Sequence, residues 1–192
     1  MKVIDSGMPE EVYWNSLFDI PGITSWLEID SINGPIVEIG CGYGTFTIPI
    51  ARQTSNKILA FDIEPAMIAS TKRNAQQTGL TNIDLFTRDI LEAGTGLEDN
   101  SVGMVLLFNI LHFDERRKLL EEASRILKNL GVTAIIHWRK DIETPRGPLV
   151  NTRPDEEMIL KSINGLELNF NGNSRILKPY HWGIQLIKGI EE

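Results

Sequence analysis

The chain has almost no cysteine. Cys41 alone cannot form an internal disulfide or supply a thiolate metal site, so no metal is expected. Long hydrophobic runs are also missing. Nothing approaches the roughly 20 apolar residues that span a bilayer, and Met1–Glu10 has no apolar signal-peptide core, so no membrane partner and a cytoplasmic location are expected. Basic excess is absent too: 26 acidic residues face 19 basic ones, for a net charge of −7. Scattered acidity of this kind argues against a surface that displaces counterions from nucleic acid, so no nucleic-acid partner is expected. A local basic pocket remains compatible with it. No internal repeat or low-complexity stretch interrupts the 192 residues, of which 42% are hydrophobic and 23% charged, the mix of a chain with one buried core.

From about residue 35 onward, apolar runs and punctuation alternate between strand and helix. Strands are expected at Pro35–Ile39, Lys57–Phe61, Asn82–Phe86, Val102–Phe108, Val132–His137, Leu166–Leu177 and Trp182–Lys188. Between them, helices are expected over Thr45–Thr54, from Pro65 to a stop at Gly79, over Asp114–Asn129 with Gly131 just past its end, and near Pro154–Ile163. Alternation implies a parallel sheet with right-handed crossovers. The segment Lys178-Pro179-Tyr180-His181 is too short for such a crossover, so the last strand should run antiparallel to its predecessor. The expected fold is α/β, a single doubly wound Rossmann-like domain with a seven-stranded, mostly parallel sheet and an antiparallel last strand. Residues 1–34 are set apart as a helical extension or lid, and residues 35–192 as the main domain.

After the first strand comes Val37-Glu38-Ile39-Gly40-Cys41-Gly42-Tyr43-Gly44-Thr45. Alternate glycines permit positive φ and let a ligand approach backbone N–H groups at a helix start. Glu38 precedes the first glycine by two residues, and Asp62 ends the next strand. A dinucleotide fingerprint, G-x-G-x-x-G, needs a third glycine where Thr45 stands. The pattern here is E-x-G-x-G-x-G, and with it residues 36 to 188 resemble the class I methyltransferase family, which uses S-adenosylmethionine and leaves S-adenosylhomocysteine. The resemblance implies that Gly40, Cys41, Gly42 and Gly44 lie against the methionine part of that cofactor, with Glu38 supporting its ammonium. It implies ribose contacts from Asp62, adenine packing by Ile63, an adenine edge at Asp89-Ile90, and Asn109 near the amino-acid end.

In an open α/β sheet, ligands bind beyond the carboxyl ends of the strands where strand order reverses. All three histidines, His112, His137 and His181, fall near that edge. His181 or His137 is the candidate general base, with Tyr180 and Trp138 walling the acceptor; the alternative is that each is a packed residue. Arg139, Arg146 and Arg153 offer a clamp for a carboxylate or phosphate, or else pair with Asp141, Glu143 and Asp155. The strings W-R-x(5)-P-R-G-P and P-Y-H-W-G also resemble a subgroup of that family without an assigned substrate. Phe108-Asn109-Ile110-Leu111 is not the D/N-P-P-Y/F signature of enzymes that methylate amino groups of bases, which together with the acidity points to a small-molecule acceptor. The rival functions are a non-catalytic binder of the same cofactor and a nucleotide-dependent dehydrogenase.

Overall fold

The computed structural model describes residues 7–189; the first six residues of the expected N-terminal extension and the last three of the chain lie outside it. Seven strands form one sheet: β1 (Ile36–Ile39), β2 (Ile58–Asp62), β3 (Ile83–Thr87), β4 (Val102–Phe108), β5 (Leu127–Trp138), β6 (Leu168–Leu177) and β7 (His181–Lys188), in the order β3-β2-β1-β4-β5-β7-β6. The first five pair in parallel, and β7 runs antiparallel to both β5 and β6. This is the expected doubly wound sheet with its reversed final strand. The reversal of order between β1 and β4 opens a crevice at their carboxyl ends.

Side-chain alternation divides the core into two layers. Every residue of β1 and β4 is buried, as central parallel strands covered on both faces must be. Val37, Ile39, Val105, Leu107 and Ile135 point to one face, where helix α6 (Arg116–Ile126) covers them with Leu119, Leu120 and Ala123. Ile36, Met104, Leu106, Phe108, Ala134 and Ile136 point to the other. There they meet Phe46 and Ile50 on and beside α3 (Thr47–Ala51), and Ile23 and Trp26 from α2 (Ile20–Trp26), which follows α1 (Glu11–Asn15). Residues 17–29 thus share one core layer with the sheet. Three further helices complete the fold: α4 (Pro65–Gln77), α5 (Ile90–Ala93) and α7 (Glu156–Ser162).

Two expected boundaries differ. The helix expected over Asp114–Asn129 stops at Ile126, and Leu127 is already extended and paired with Val102. Gly131 therefore lies inside β5 rather than capping the helix. The chain turns instead at Leu130, at φ 63°, before pairing resumes at Val132 opposite Met104. The helix expected from Thr45 is shorter, because the glycine turn continues to Phe46 before helical geometry begins. The Asn171-Gly172 pair sits where the β6–β7 register shifts, between Phe170 and Ser174.

Trp26 locks the antiparallel half of the sheet to α2. Its indole N–H donates to Asn173 Oδ1 at 2.9 Å, and its carbonyl accepts from Gln185 Nε2 at 3.0 Å. Gly183 of β7 lies under the ring: a Cβ there would stand 2.7 Å from Trp26 Cη2 and 2.8 Å from Leu177 Cδ1. Both neighbours are themselves buried. Gly183→Ala is expected to destabilise the protein by about 1–3 kcal/mol through overpacking, read as a lowered urea midpoint; an unchanged midpoint contradicts this packing.

Candidate active site

At the reversal point the carboxyl ends of β1, β2 and β4 are held level by their register, with Ile39 opposite both Phe61 and Leu107. The chain leaves β1 through N–H groups of Gly40 and Cys41 that both donate to the Phe61 carbonyl, at 2.8 and 3.0 Å. Gly40 takes φ 79°, and a Cβ there would lie 2.8 Å from Ile110 Cγ2, so only glycine lets the turn pass beneath the loop after β4. Asp62 closes the turn from the next strand. Its carboxylate accepts from the Gly42 N–H at 2.8 Å and from the Glu64 N–H at 2.9 Å. Burial raises the Asp62 pKa, and these backbone N–H bonds oppose the rise.

A cavity of about 620 Å³ opens above this turn, a size that suits a ligand with the bulk of a nucleoside. Gly40, Cys41, Gly42, Asp62, Ile63, Asp89, Ile90 and Asn109 line it. Asp89 also caps α5, accepting from the N–H groups of Leu91 and Glu92. Gly44 lies outside the wall, packed on Thr71 and Ile48. Glu38 lies beneath the turn, also outside the wall. It is buried and accepts from the Thr47 hydroxyl in a short hydrogen bond. Burial, opposed by the Thr47 bond and assisted by Asp62, raises its pKa to about 8. The buried Cys41 thiol, 3.8 Å from Thr71 Oγ1, is likewise raised far above its ordinary value, first by burial and then by Glu38 and Asp62. It packs as a small neutral group.

Beyond the turn the wall becomes aromatic, with Trp14, Phe46, Phe108, His112, Phe113 and Trp138. Of the three histidines, only His112 lines the cavity. His137 and His181 are fully buried, and none of their ring nitrogens has a partner among the described residues. Burial holds His137 well below its ordinary pKa, and it lowers His181 to about 3. His137 packs 5.8 Å from His112, ring to ring, on one face of the sheet. His181 is stacked between Phe18 and Trp138, at 4.4 and 4.2 Å. Tyr180 stacks behind Trp138 at 6.3 Å, outside the wall. The expected arginine clamp also divides. Arg139 pairs with Asp141 at 2.6 Å and Asp155 with Lys140, while Arg153 is buried and bonded to backbone carbonyls. Arg146 reaches the cavity. Phe46, Phe108 and Met8 are wall residues that pattern reading did not single out; only their position beside the glycine turn or at a strand end hinted at them.

The residues present fit S-adenosylmethionine. Asp62 has lone pairs left for vicinal hydroxyls after its two backbone bonds, Ile63 and Ile90 provide apolar surface for a flat base, and the glycine turn leaves no Cβ above it. Both amide atoms of the Asn109 side chain are buried without a partner among the described residues, at a backbone φ of 60°.

Such a turn, with an acid on the next strand and a crevice at the switch point, defines a cofactor-binding α/β domain. The chain belongs to the methyltransferase-domain family, whose model matches residues 36–131. That bears out the expected class I, S-adenosylmethionine-dependent family. The fold is shared with a SAM-dependent methyltransferase from Aquifex aeolicus (TM-score 0.77, 20% identity, 94% of each chain). It is also shared with the magnesium protoporphyrin IX methyltransferase of Synechocystis solved with bound SAM (TM-score 0.71, 15% identity, 98% of this chain and 88% of that one). Among curated proteins, the chain is 26% identical over 126 residues to the 23S rRNA (uracil(1939)-C(5))-methyltransferase RlmD of Francisella tularensis. A methyltransferase-like protein of Schizosaccharomyces pombe is 27% identical over 127 residues. These matches cover 64% and 65% of this chain, and the chain spans only 27% and 47% of the two relatives' lengths.

The RlmD relatives overturn the expected partners, a small-molecule acceptor with nucleic acid excluded. That exclusion rested on a net charge summed over the whole surface, whereas an acceptor meets only one cavity, whose lining sets Arg88 and Arg146 beside Asp62, Glu64, Asp89 and Glu115. The missing D/N-P-P-Y/F motif concerns amino groups of bases and says nothing of ring carbons. On membranes, the finding is narrower: no described helix is long and apolar enough to cross one.

Glu38 generates a pH prediction. Below the ordinary carboxyl value of 4.5 the group is protonated whether the chain is folded or not; between 4.5 and about 8 the unfolded chain ionises while the folded one keeps its proton. Stability is therefore lost as pH rises through this window, at up to about 1.4 kcal/mol per pH unit. Glu38→Gln is expected to remove that slope. Urea midpoints of wild type and variant that run parallel across the window contradict it.

Proposed function

We propose that the protein transfers the methyl group of S-adenosylmethionine to an acceptor entering between Trp14, Phe46, Phe108 and Trp138. The observation that carries this reading is one continuous cavity with two unlike halves: a carboxylate fixed on a glycine turn at one end and an aromatic chamber at the other. The chamber also favours an enzyme over a non-catalytic binder, because no side chain among the described residues plugs it.

When bound, the cofactor supplies a methyl carbon activated by a sulfonium, so the protein's work is orientation and exclusion of water. Asp62 and the Gly40–Gly42 turn hold one reactant, and the aromatic walls hold the other in a dry space. An acceptor that keeps a proton on oxygen or nitrogen needs a base. His112 serves as that base in this reading, in place of His137 or His181. Its Nδ1 is buried, which leaves Nε2 for the cavity. Burial lowers its pKa from 6.5, with the Asn109 carbonyl opposing and Arg116 assisting, so the ring is neutral at neutral pH.

Calorimetric titration is expected to detect S-adenosylmethionine and S-adenosylhomocysteine but not NAD, with at least tenfold weaker binding in Asp62→Ala, about 1.4 kcal/mol. Silence toward both adenosyl ligands overturns the reading. Label from methyl-labelled cofactor is then followed into an rRNA fragment and into free heteroaromatic compounds. With an O–H or N–H acceptor, His112→Gln is expected to lower turnover by about 10²–10⁴ and to abolish an acid limb lying below pH 6.5, with S-adenosylhomocysteine affinity retained. An unchanged pH profile removes His112 from the chemistry.

A further inference from the structure

The string Pro145-Arg146-Gly147-Pro148 builds the acceptor side of the cavity wall. Gly147, at φ 119°, lies flat on Trp138: a Cβ there would stand 2.9 Å from the indole Cγ and 3.0 Å from Cδ2. Any larger residue would lift the loop off the ring. Arg153 fastens the loop from behind. Buried, with its pKa lowered by that burial, it donates to the carbonyls of Pro148 at 2.9 Å, Arg139 at 2.6 Å and Arg146 at 3.4 Å. A guanidinium with three carbonyl acceptors and no carboxylate is costly to bury, and its return is a fixed backbone over residues 146–148.

What that backbone presents is the Arg146 side chain. It is half-buried and lines the cavity beside Trp138 and Pro148. Its hydrogen bond goes to the Gly7 carbonyl, a neutral group, and it has no carboxylate partner among the described residues. The other charged wall residues lie elsewhere. Asp62 ends β2 and Glu64 follows it, Asp89 follows β3, Glu115 precedes α6, and Arg88 is tied to the carbonyls of Ala93 and Gly94. The wall after β5 thus joins a guanidinium with no ion pair among the described residues to a planar aromatic face. A guanidinium binds carboxylate and phosphate through paired N–H donors.

We infer that Arg146, held by Gly147 against Trp138 and by the Arg153 staple, recognises an oxyanion, carboxylate or phosphate, on an acceptor whose planar part lies against the aromatic wall. This rests on the methyl-transfer reading for the word acceptor, but the anion site can be tested without turnover. A free aromatic acid and a nucleotide both carry this chemistry.

The experiment titrates the protein, with and without saturating S-adenosylhomocysteine, with benzoate, phenyl phosphate and the neutral isostere benzamide, reading calorimetry and tryptophan fluorescence. Wild type is expected to bind benzoate or phenyl phosphate at least tenfold more tightly than benzamide, the stronger of the two identifying carboxylate or phosphate as the group read. Arg146→Gln is expected to erase the preference and Arg146→Lys to keep part of it, with melting temperatures checked for each variant. Equal binding of benzamide, a preference that survives Arg146→Gln, or no binding of any probe overturns the inference. If the anions bind selectively while S-adenosylhomocysteine does not bind at all, the anion site stands and the cofactor reading falls; the reverse result separates them the other way.

Discussion

The bond from the Gly42 N–H to the Asp62 carboxylate ties the site to the fold. It joins the turn after β1 to the end of β2 at the point where strand order reverses. Without it the turn has only the two N–H groups of Gly40 and Cys41 to hold it on β2. With it, and with the Glu64 N–H on the other oxygen, both carboxylate oxygens are fixed to backbone while the group still lines the cavity. The acid is therefore oriented by the fold itself, its desolvation and ordering settled on folding. Beneath the same turn, the Glu38–Thr47 pair does related work from the inside. Thr47 starts α3, so its hydroxyl on Glu38 couples the end of β1 to the first turn of the helix that follows.

The aromatic half follows from the same sheet by strand parity. Phe108 and Trp138 end β4 and β5 on the face that carries Ile36, Leu106 and Ile136, so they lie above Phe46 and below the N-terminal segment. Phe46 and Phe108 meet edge to face at 4.9 Å, as do Phe18 and Phe46 at 5.1 Å, a favoured aromatic arrangement. Side chains from several elements then draw residues 7–15 across the glycine turn. Tyr43 donates to the Pro9 carbonyl at 2.8 Å, Thr45 to Asn15 at 2.7 Å and Asn74 to Glu11 at 2.6 Å. Trp14 reaches the cavity as part of that strap, so the chamber is closed partly by a segment whose own helix buries nothing.

Much of this was legible in the residues. Ile36–Ile39, apolar apart from Glu38, and the apolar run Val102–Phe108 read as strands of the sheet, and the short link at Lys178–Tyr180 required β7 to reverse. The glycine spacing with Glu38 and Asp62 drew the turn and its acid together correctly. The end of α6 was not legible, since Leu127 suits a helix face as well as a strand and only its pairing with Val102 decides. The histidines failed for a related reason. A sequence places His137 and His181 at the right edge of the sheet but says nothing of what covers them. His137 is buried against His112, and His181 against Phe18, a contact across more than 160 residues of chain. His112 follows β4 in a loop, where no second strand can cover it.

Those two buried histidines bear on why the cavity wall holds its shape. An imidazole without a partner among the described residues, like the amide of Asn109, lowers the stability of the fold, each by roughly 1–3 kcal/mol, and all three sit within or directly behind the wall. A chain selected for stability alone would fill these positions with leucine or phenylalanine. Polar groups retained there at a cost, and packed against Trp138 and His112, are the expected mark of a surface shaped for a ligand rather than for the core. The same reasoning applies to Arg153, whose guanidinium is buried to fix a loop that hydrophobic packing could have fixed more cheaply. Composition cannot register such choices, because it averages a few uncompensated groups into an acidic whole. The acceptor is met by these few side chains, and their local chemistry sets what the cavity accepts.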